Sequence, residues 1–342
     1  QLDTTGLTHL NLAFASIDPA TFKIRLQNPD DEYVYYQFLE YKNRGLQTWL
    51  GVGGWEFSDE GDTRTTWSDL AASEEHRKAF ISSTVEFLEK YGFQGLDVDW
   101  EWPAAANRGG NPADTKNQVA LVKELREALG SKYGLTCVLP QDAGFLSGID
   151  VAGLAQYVDW FNVLTYDLHG IWDAKNPELG SKIRPHTDVR EIDEKLNGLW
   201  VTGIDSHKFT LGFALYGRGY MAADPKCMDI GCEFSGPSAM GECSKQSGML
   251  SNCEIKRLIK DKSLKPTAII GVDAMVITWD QQWLSYDSPE TLAKKKELAN
   301  NRCMGGISIW AIDYDSCDAG DQLPPPHGNS VAPTKPSTVA SS

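Results

Sequence analysis

The chain is predicted to fold as an α/β protein of the (β/α)8 TIM-barrel type, and three observations carry that expectation. Apolar strand-like runs alternate with amphipathic helical stretches, and polar residues gather where the strands end. No Gly-x-Gly-x-x-Gly follows any strand, so nothing supports the nucleotide crevice of an open doubly wound sheet. With 342 residues, 41% of them hydrophobic and 23% charged, the chain can bury a large core, and no apolar run approaches a membrane span. The 47 acids against 32 bases give a net charge of −15, which argues against nucleic acid or an anionic membrane as partner.

The first strand, 7–17 (LTHLNLAFASI), begins almost at the first residue, and a helix over 31–43 follows, closed by Gly45. The strand 47–52 runs into Gly53-Gly54-Trp55, where paired glycines let backbone approach a ligand or another strand closely. Ser73, with Glu74 and Glu75, opens a helix whose Ile81, Val85 and Leu88 mark the buried stripe and which stops at Gly92. It leads into a strand over 95–103. Asp114 then caps a helix bearing Leu121, Leu125 and Leu129, and strands follow over 135–139 and 160–166. A helix over 189–199, a strand over 210–215, a helix opened by Ser288 and Pro289, and a strand over 305–309 ending at Trp310 complete the alternation.

Residues 221–286 break this rhythm with many glycines, a β-like stretch over 268–279 and the clustered Cys227, Cys232, Cys243 and Cys253. They read as a small α+β subdomain inserted before the last strand, which leaves the barrel in 1–220 and 287–320. Such clustering favours local disulfides in an exported protein, and the spacings suit zinc poorly; no metal or cofactor is expected. Cys303 and Cys317 flank a strand that holds them about 20 Å apart, beyond disulfide reach. The Pro/Ser/Thr-rich residues 321–342 read as a linker or tail.

The chemistry is concentrated in Gly95-Leu96-Asp97-Val98-Asp99-Trp100-Glu101-Trp102-Pro103. Residues two apart on a strand share a face, so Asp97, Asp99 and Glu101 line one side while Leu96, Val98 and Trp100 pack on the other. Neighbouring carboxylates roughly 6.6 Å apart repel by about 2–3 kcal/mol at an effective dielectric near 20, enough to retain a proton on one of them. A protonated carboxylic acid beside an ionised one is what glycosidic-bond cleavage requires, and Glu101, at the C-terminal end, is the natural donor.

Together with Val163 to Gly170, Gly305 to Asp315, Gly53-Gly54-Trp55 and Tyr216-Gly217-Arg218, this stretch resembles the chitinases of glycoside hydrolase family eighteen, most closely the fungal class V branch similar to the killer-toxin chitinase subunit. The resemblance covers about Leu7 to Asp315. It implies a secreted enzyme, monomeric as a catalytic domain and open to linkage with further modules, that hydrolyses chitin or chitooligosaccharides. Glu101 would be the acid/base, and the nucleophile would be the substrate's own 2-acetamido carbonyl. Asp99 would orient the acetamido N–H, Asp97 would hold the second proton of the pair, and Tyr166 would hydrogen-bond the acetamido carbonyl with Asp167 beside it. Trp310 would floor the cleavage subsite, with Gly54, Trp55, Trp102, Tyr216 and Arg218 as further substrate contacts; Arg218 could equally anchor the inserted subdomain through an ion pair.

Three positions depart from the family pattern: Gln94 replaces its first acid, Gly51 a usual Ser, and Trp102 a usual Tyr. Gln94 still offers donors and acceptors, so a tuned carboxylate relay is expected. The alternatives are a chitin-binding lectin, which typically lacks the acid found at Glu101, and a hydrolase of N-glycan cores. The strands number seven where a closed barrel has eight. One strand precedes the Leu7 strand in the family, and only six residues do here. The chain, which opens at Gln1, therefore reads as a mature form or a fragment lacking the first strand, with two unpaired edges, poor solubility and weak activity on its own.

Overall fold

The computed structural model describes residues 2–316. Its strands are β1 (His9–Ile17), β2 (Ile24–Arg25), β3 (Gln47–Gly53), β4 (Gly95–Asp99), β5 (Gly134–Pro140), β6 (Trp160–Leu164), β7 (Phe209–Ala214), β8 (Tyr216–Ala222), β9 (Phe234–Pro237), β10 (Met249–Ser251), β11 (Thr267–Ile269), β12 (Ala274–Trp279), β13 (Gln282–Tyr286) and β14 (Gly306–Trp310). The main sheet runs β14-β7-β6-β5-β4-β3-β1-β2 and is parallel except for β2, a two-residue strand antiparallel to the end of β1. Seven parallel strands in a curled sheet are thus present, as the pattern predicts. Among the described residues β1 and β14 are the ends of the parallel series, and no ladder joins them. Their exposure reflects this: every residue of β14 is half-buried, whereas β4 and β7 are buried throughout.

Helices pack on the outer face, where Phe80, Leu88, Leu121, Leu125, Ile192 and Leu196 join the main core. Ser73 caps the helix Glu74–Tyr91 by accepting from the His76 N–H, and Gly92 ends it at φ 86°. Three expectations need correction. The helix over 31–43 is an α-helix only over Glu32–Leu39, with 3-10 turns before and after it. A short helix, Thr66–Ala72, is absent from the sequence reading, because seven residues give too little periodicity to register. Asp114 is not an N-cap but the first helical residue; its buried carboxylate accepts from Ser68 Oγ (2.6 Å), Asn111 N (2.8 Å) and Ala104 N (3.2 Å), which pins the loop after β4.

The floor of the sheet is built around Trp49. Register sets Trp49 beside Gly95 and Gly95 beside Gly134. A Cβ at Gly95 or Gly134 would lie 2.2 Å or 1.9 Å from the indole, which Trp160 stacks at 4.9 Å. Gly134→Ala is therefore expected to overpack this floor and cost about 1–3 kcal/mol. A lower urea midpoint with an unchanged m-value checks it; an unchanged midpoint would show that the indole has room to move.

A second, antiparallel sheet runs β10-β8-β13-β12-β11, with β9 also on β8. Its first strand follows β7 after a single residue, Leu215, so the second sheet rises directly from the end of a barrel strand. Cys227 and Cys232 form a disulfide in the connection between β8 and β9, a local pairing of the kind the clustering favours. Cys303 carries a free thiol and Cys317 lies outside the described residues, as does the 321–342 tail. No helix among the described residues is long and apolar enough to cross a membrane.

Candidate active site

Alternation along β4 turns Asp97 and Asp99 inward and Leu96, Val98 and Trp100 outward, with Trp100 stacked on Trp67 at 5.6 Å. The ladder ends at Asp99, and Glu101 sits two residues further on. Asp97, Asp99 and Glu101 are 6%, 7% and 7% exposed, so the solvated acidic face of an ordinary edge strand is ruled out. Gly53 and Gly54 make the close approach expected of them. The Gly54 N–H donates to Asp99 O at 2.9 Å, and a Cβ on Gly53 would lie 2.2 Å from that oxygen. Both glycines have positive φ, 106° and 88°, which a side chain would oppose.

Asp97 Oδ1 accepts from Thr136 Oγ1 and from Asn162 Nδ2 (3.0 Å). Asn162 Oδ1 accepts in turn from Thr210 Oγ1 (2.9 Å), so neutral donors on β5 and β6 converge on one carboxylate and β7 holds the second of them. Burial raises the Asp97 carboxyl, and these two bonds oppose the rise. Asp99 is pushed well above the usual range by burial and then by the charges of Glu101 and Asp97, and its Oδ1 has no hydrogen-bond partner among the described residues. Interaction between the Asp99 and Glu101 side chains adds to the rise at Asp99 and works against it at Glu101. Burial lifts Glu101 to about 7 against the pull of the Asp99 bond and of Arg108, with Asp167 and Asp59 adding to the rise.

Gln94 does not join this group. It precedes β4 by one residue, and its Oε1 accepts from Thr48 N (3.0 Å) at the opposite end of the strands from Glu101. Three residues from Asp97 on extended backbone, it faces away from Asp97, so the expected tuned relay through Gln94 is absent. At Gly51 a Cβ would come 3.1 Å from the Phe14 ring, which occupies that side of β3.

Tyr166 and Asp167 follow β6. Burial, and then the charges of Asp99 and Glu101, raise the Tyr166 hydroxyl, which keeps it protonated and able to donate. Asp167, at φ 56°, receives Arg218 Nε (2.8 Å) and Nη2 (2.7 Å) and lies 3.5 Å from Nδ1 of the fully buried His186. Burial alone would raise Asp167; the Arg218 charge and bonds outweigh it and hold the carboxyl well below the usual range. Arg218 lies on β8, so this fork ties the second sheet to the end of β6. Tyr216 is buried among Tyr166, His186 and Tyr314, and Trp102 is buried against Phe145. Both rings belong to the wall. Trp310 ends β14 half-buried and stacks on Phe14 at 5.4 Å, across the two edges of the sheet. Trp55 stands on the rim, 48% exposed, with the Arg108 guanidinium 3.6 Å from its ring centroid.

Several side chains at this face escape the sequence reading: Thr136, Asn162, Thr210, Arg108, His186, Phe14 and the exposed Trp172, whose ring faces Arg218 at 5.3 Å. Strand alternation gives the inward direction of Asn162 and Thr210, but only once the register is known. Among the described residues no group of three or more His, Cys, Asp or Glu side chains is arranged to hold a metal ion.

The family model described as Glycosyl hydrolases family 18 matches residues 1–315. Probable chitinase 10 of Drosophila melanogaster is 32% identical over 333 residues, which cover 92% of this chain and 14% of that protein. Secreted chitinase LysM12 of Penicillium expansum is 29% identical over 335 residues, covering 92% of this chain and 22% of that one. The chain therefore spans less than a quarter of the length of either relative. The crystal structure of the Ostrinia furnacalis Group II chitinase catalytic domain 2 superposes with a TM-score of 0.81 at 27% identity, over 90% of this chain and 83% of that one.

Proposed function

We propose that this chain, which belongs to family 18 of the glycosyl hydrolases, hydrolyses β-1,4-linked N-acetylglucosamine polymers with retention of configuration. The observation that carries this reading is three carboxyls, Asp97, Asp99 and Glu101, buried together at the end of β4, where burial lifts Glu101 to about 7. At neutral pH such a group can give a proton and take it back, the task of an acid/base catalyst. In this reading Glu101 protonates the leaving glycosidic oxygen as the C1–O bond breaks, while the 2-acetamido carbonyl oxygen of the same sugar attacks C1. Water then opens the cyclic oxazolinium at C1, losing its proton to the Glu101 carboxylate. Such enzymes are exceptions to the two-carboxylate scheme.

Asp99 orients the acetamido N–H through its unpartnered Oδ1, backed by Asp97, and Tyr166 donates to the acetamido carbonyl. Trp310 floors the sugar at the cleavage point, and Gly54 and Trp55 form the rim. Asp167 acts beside Tyr166, and Arg218 fixes Asp167; Tyr216 and Trp102 complete the wall. Chitin or chitooligosaccharide is the proposed substrate, which accords with the names of the relatives. We further propose the fungal class V branch and export as a monomeric catalytic module; the Cys227–Cys232 disulfide agrees with export. The segments 1–220 and 287–320 are proposed as the barrel, 221–286 as the insert, whose sheet already begins at Tyr216 on β8, and 321–342 as a linker.

Because the acetamido group is the nucleophile, fully deacetylated chitosan is expected to be uncleaved, and the first product from chitooligosaccharides is expected to be the β-anomer. NMR detection of the anomer immediately after cleavage tests this. An initial α-product would remove the mechanism.

A further inference from the structure

We propose that Arg108 is a positioning residue that ties the rim ring of Trp55 to the acid Glu101, so that one guanidinium fixes a substrate platform and sets the charge felt by the acid. This rests on the reading of Glu101 as the acid. Arg108 ends the turn Ala106–Arg108 after β4 and is only 6% exposed. Burying a guanidinium is costly unless its donors are used, and here they are. Nε donates to Glu101 O (3.0 Å), Nη2 to Trp55 O, and Nη1 pairs with Asp59. The same group lies against one face of the Trp55 ring. A ring covered on one face by a fixed cation is held in place and offers only its other face to a ligand. The loop after β3 and the loop after β4 are thereby joined through a single side chain, next to the backbone of the acid.

The charges that bear on Glu101 are few. Asp99, Asp167 and Asp59 surround it on the acidic side, Tyr166 contributes a hydroxyl, and Arg108 is the nearby cation, with Arg218 already committed to Asp167. Arg108 lowers the proton affinity of Glu101, and Asp59 raises it. Changes at 108 and 59 should therefore shift the pH dependence in opposite directions. A side chain that served packing alone would shift neither.

The experiment measures kcat and KM against pH on a defined chitooligosaccharide for the native protein, Arg108→Gln, Arg108→Lys and Asp59→Asn, with Glu101→Gln as the control. Activity falls on the alkaline side as the acid loses its proton. Arg108→Gln is expected to move that limb upward by roughly half a unit to one unit, and Asp59→Asn to move it downward. Arg108→Lys keeps the charge without the fork. Its limb is expected to stay in place while KM rises roughly threefold to tenfold, as the platform loosens. If Arg108→Gln fails to fold, the Lys and Asp59→Asn variants still decide the matter. Alkaline limbs that coincide in all folded variants, or a KM unchanged in Arg108→Lys, would overturn the proposal. Activity surviving in Glu101→Gln would overturn it together with the assignment of the acid.

Discussion

Glu101→Gln is expected to lower kcat by about 10³-fold while leaving oligosaccharide affinity largely intact, because the amide keeps the shape of the acid and cannot supply its proton. The same change is expected to stabilise the fold at alkaline pH. The ordinary value of 4.5 rises to about 7 in the folded protein, so the fold favours the protonated carboxyl. That contribution is fully present below 4.5 and is lost as pH rises through 7, where the buried side chain must ionise. A neutral amide avoids this loss. The gain over the native protein should be absent at pH 4 and reach about 3 kcal/mol at pH 8. Urea midpoints at the two pH values, alongside single-turnover rates, check both halves. Retained turnover would dismiss Glu101 as the acid, and equal midpoints at pH 8 would mean that its carboxylate is not destabilised by burial.

Lys295→Met is expected to cost about 3–5 kcal/mol, a large share of the roughly 5–15 kcal/mol that holds a domain folded. Lys295 projects from the helix Pro289–Asn301 and is 1% exposed. Its Nζ donates to Asp273 O (2.7 Å) and pairs with Asp287, which also accepts from Thr291 Oγ1 (2.7 Å). Asp273 precedes β12 and Asp287 follows β13, so this one ammonium clamps the second sheet to the helix that leads into β14. Removing it leaves a buried carboxylate without its counter-charge, which costs far more than the pair contributes over an apolar substitute. Lys295→Met combined with Asp287→Leu should therefore recover part of the loss in thermal unfolding. A double variant no more stable than Lys295→Met alone would place the loss in packing instead.

What the chain's own pattern determined is local. Period-two alternation gave β4 its acidic inner face and apolar outer face, and apolar runs with capping residues marked all seven parallel strands and most helices. The placing of Glu101, of the Tyr166-Asp167 pair and of Trp310 at one end of the sheet follows from where those strands end. Tertiary structure decided everything that depends on which strands become neighbours. Thr136, Asn162 and Thr210 are unremarkable strand residues until register brings the first two onto Asp97 and the third onto Asn162. Gln94, close to Asp97 in sequence, is turned away from it by the pleat. Arg218 reaches Asp167 across 51 residues, and Lys295 reaches Asp273 O across 22 because the second sheet lies against the last helix. Gly95 and Gly134 lack side chains because an indole from β3 lies across both. Alternation is a property of consecutive peptide units and is therefore written in the chain. Register, sheet curvature and the meeting of the two sheets arise from packing between distant segments, which no short stretch of sequence contains.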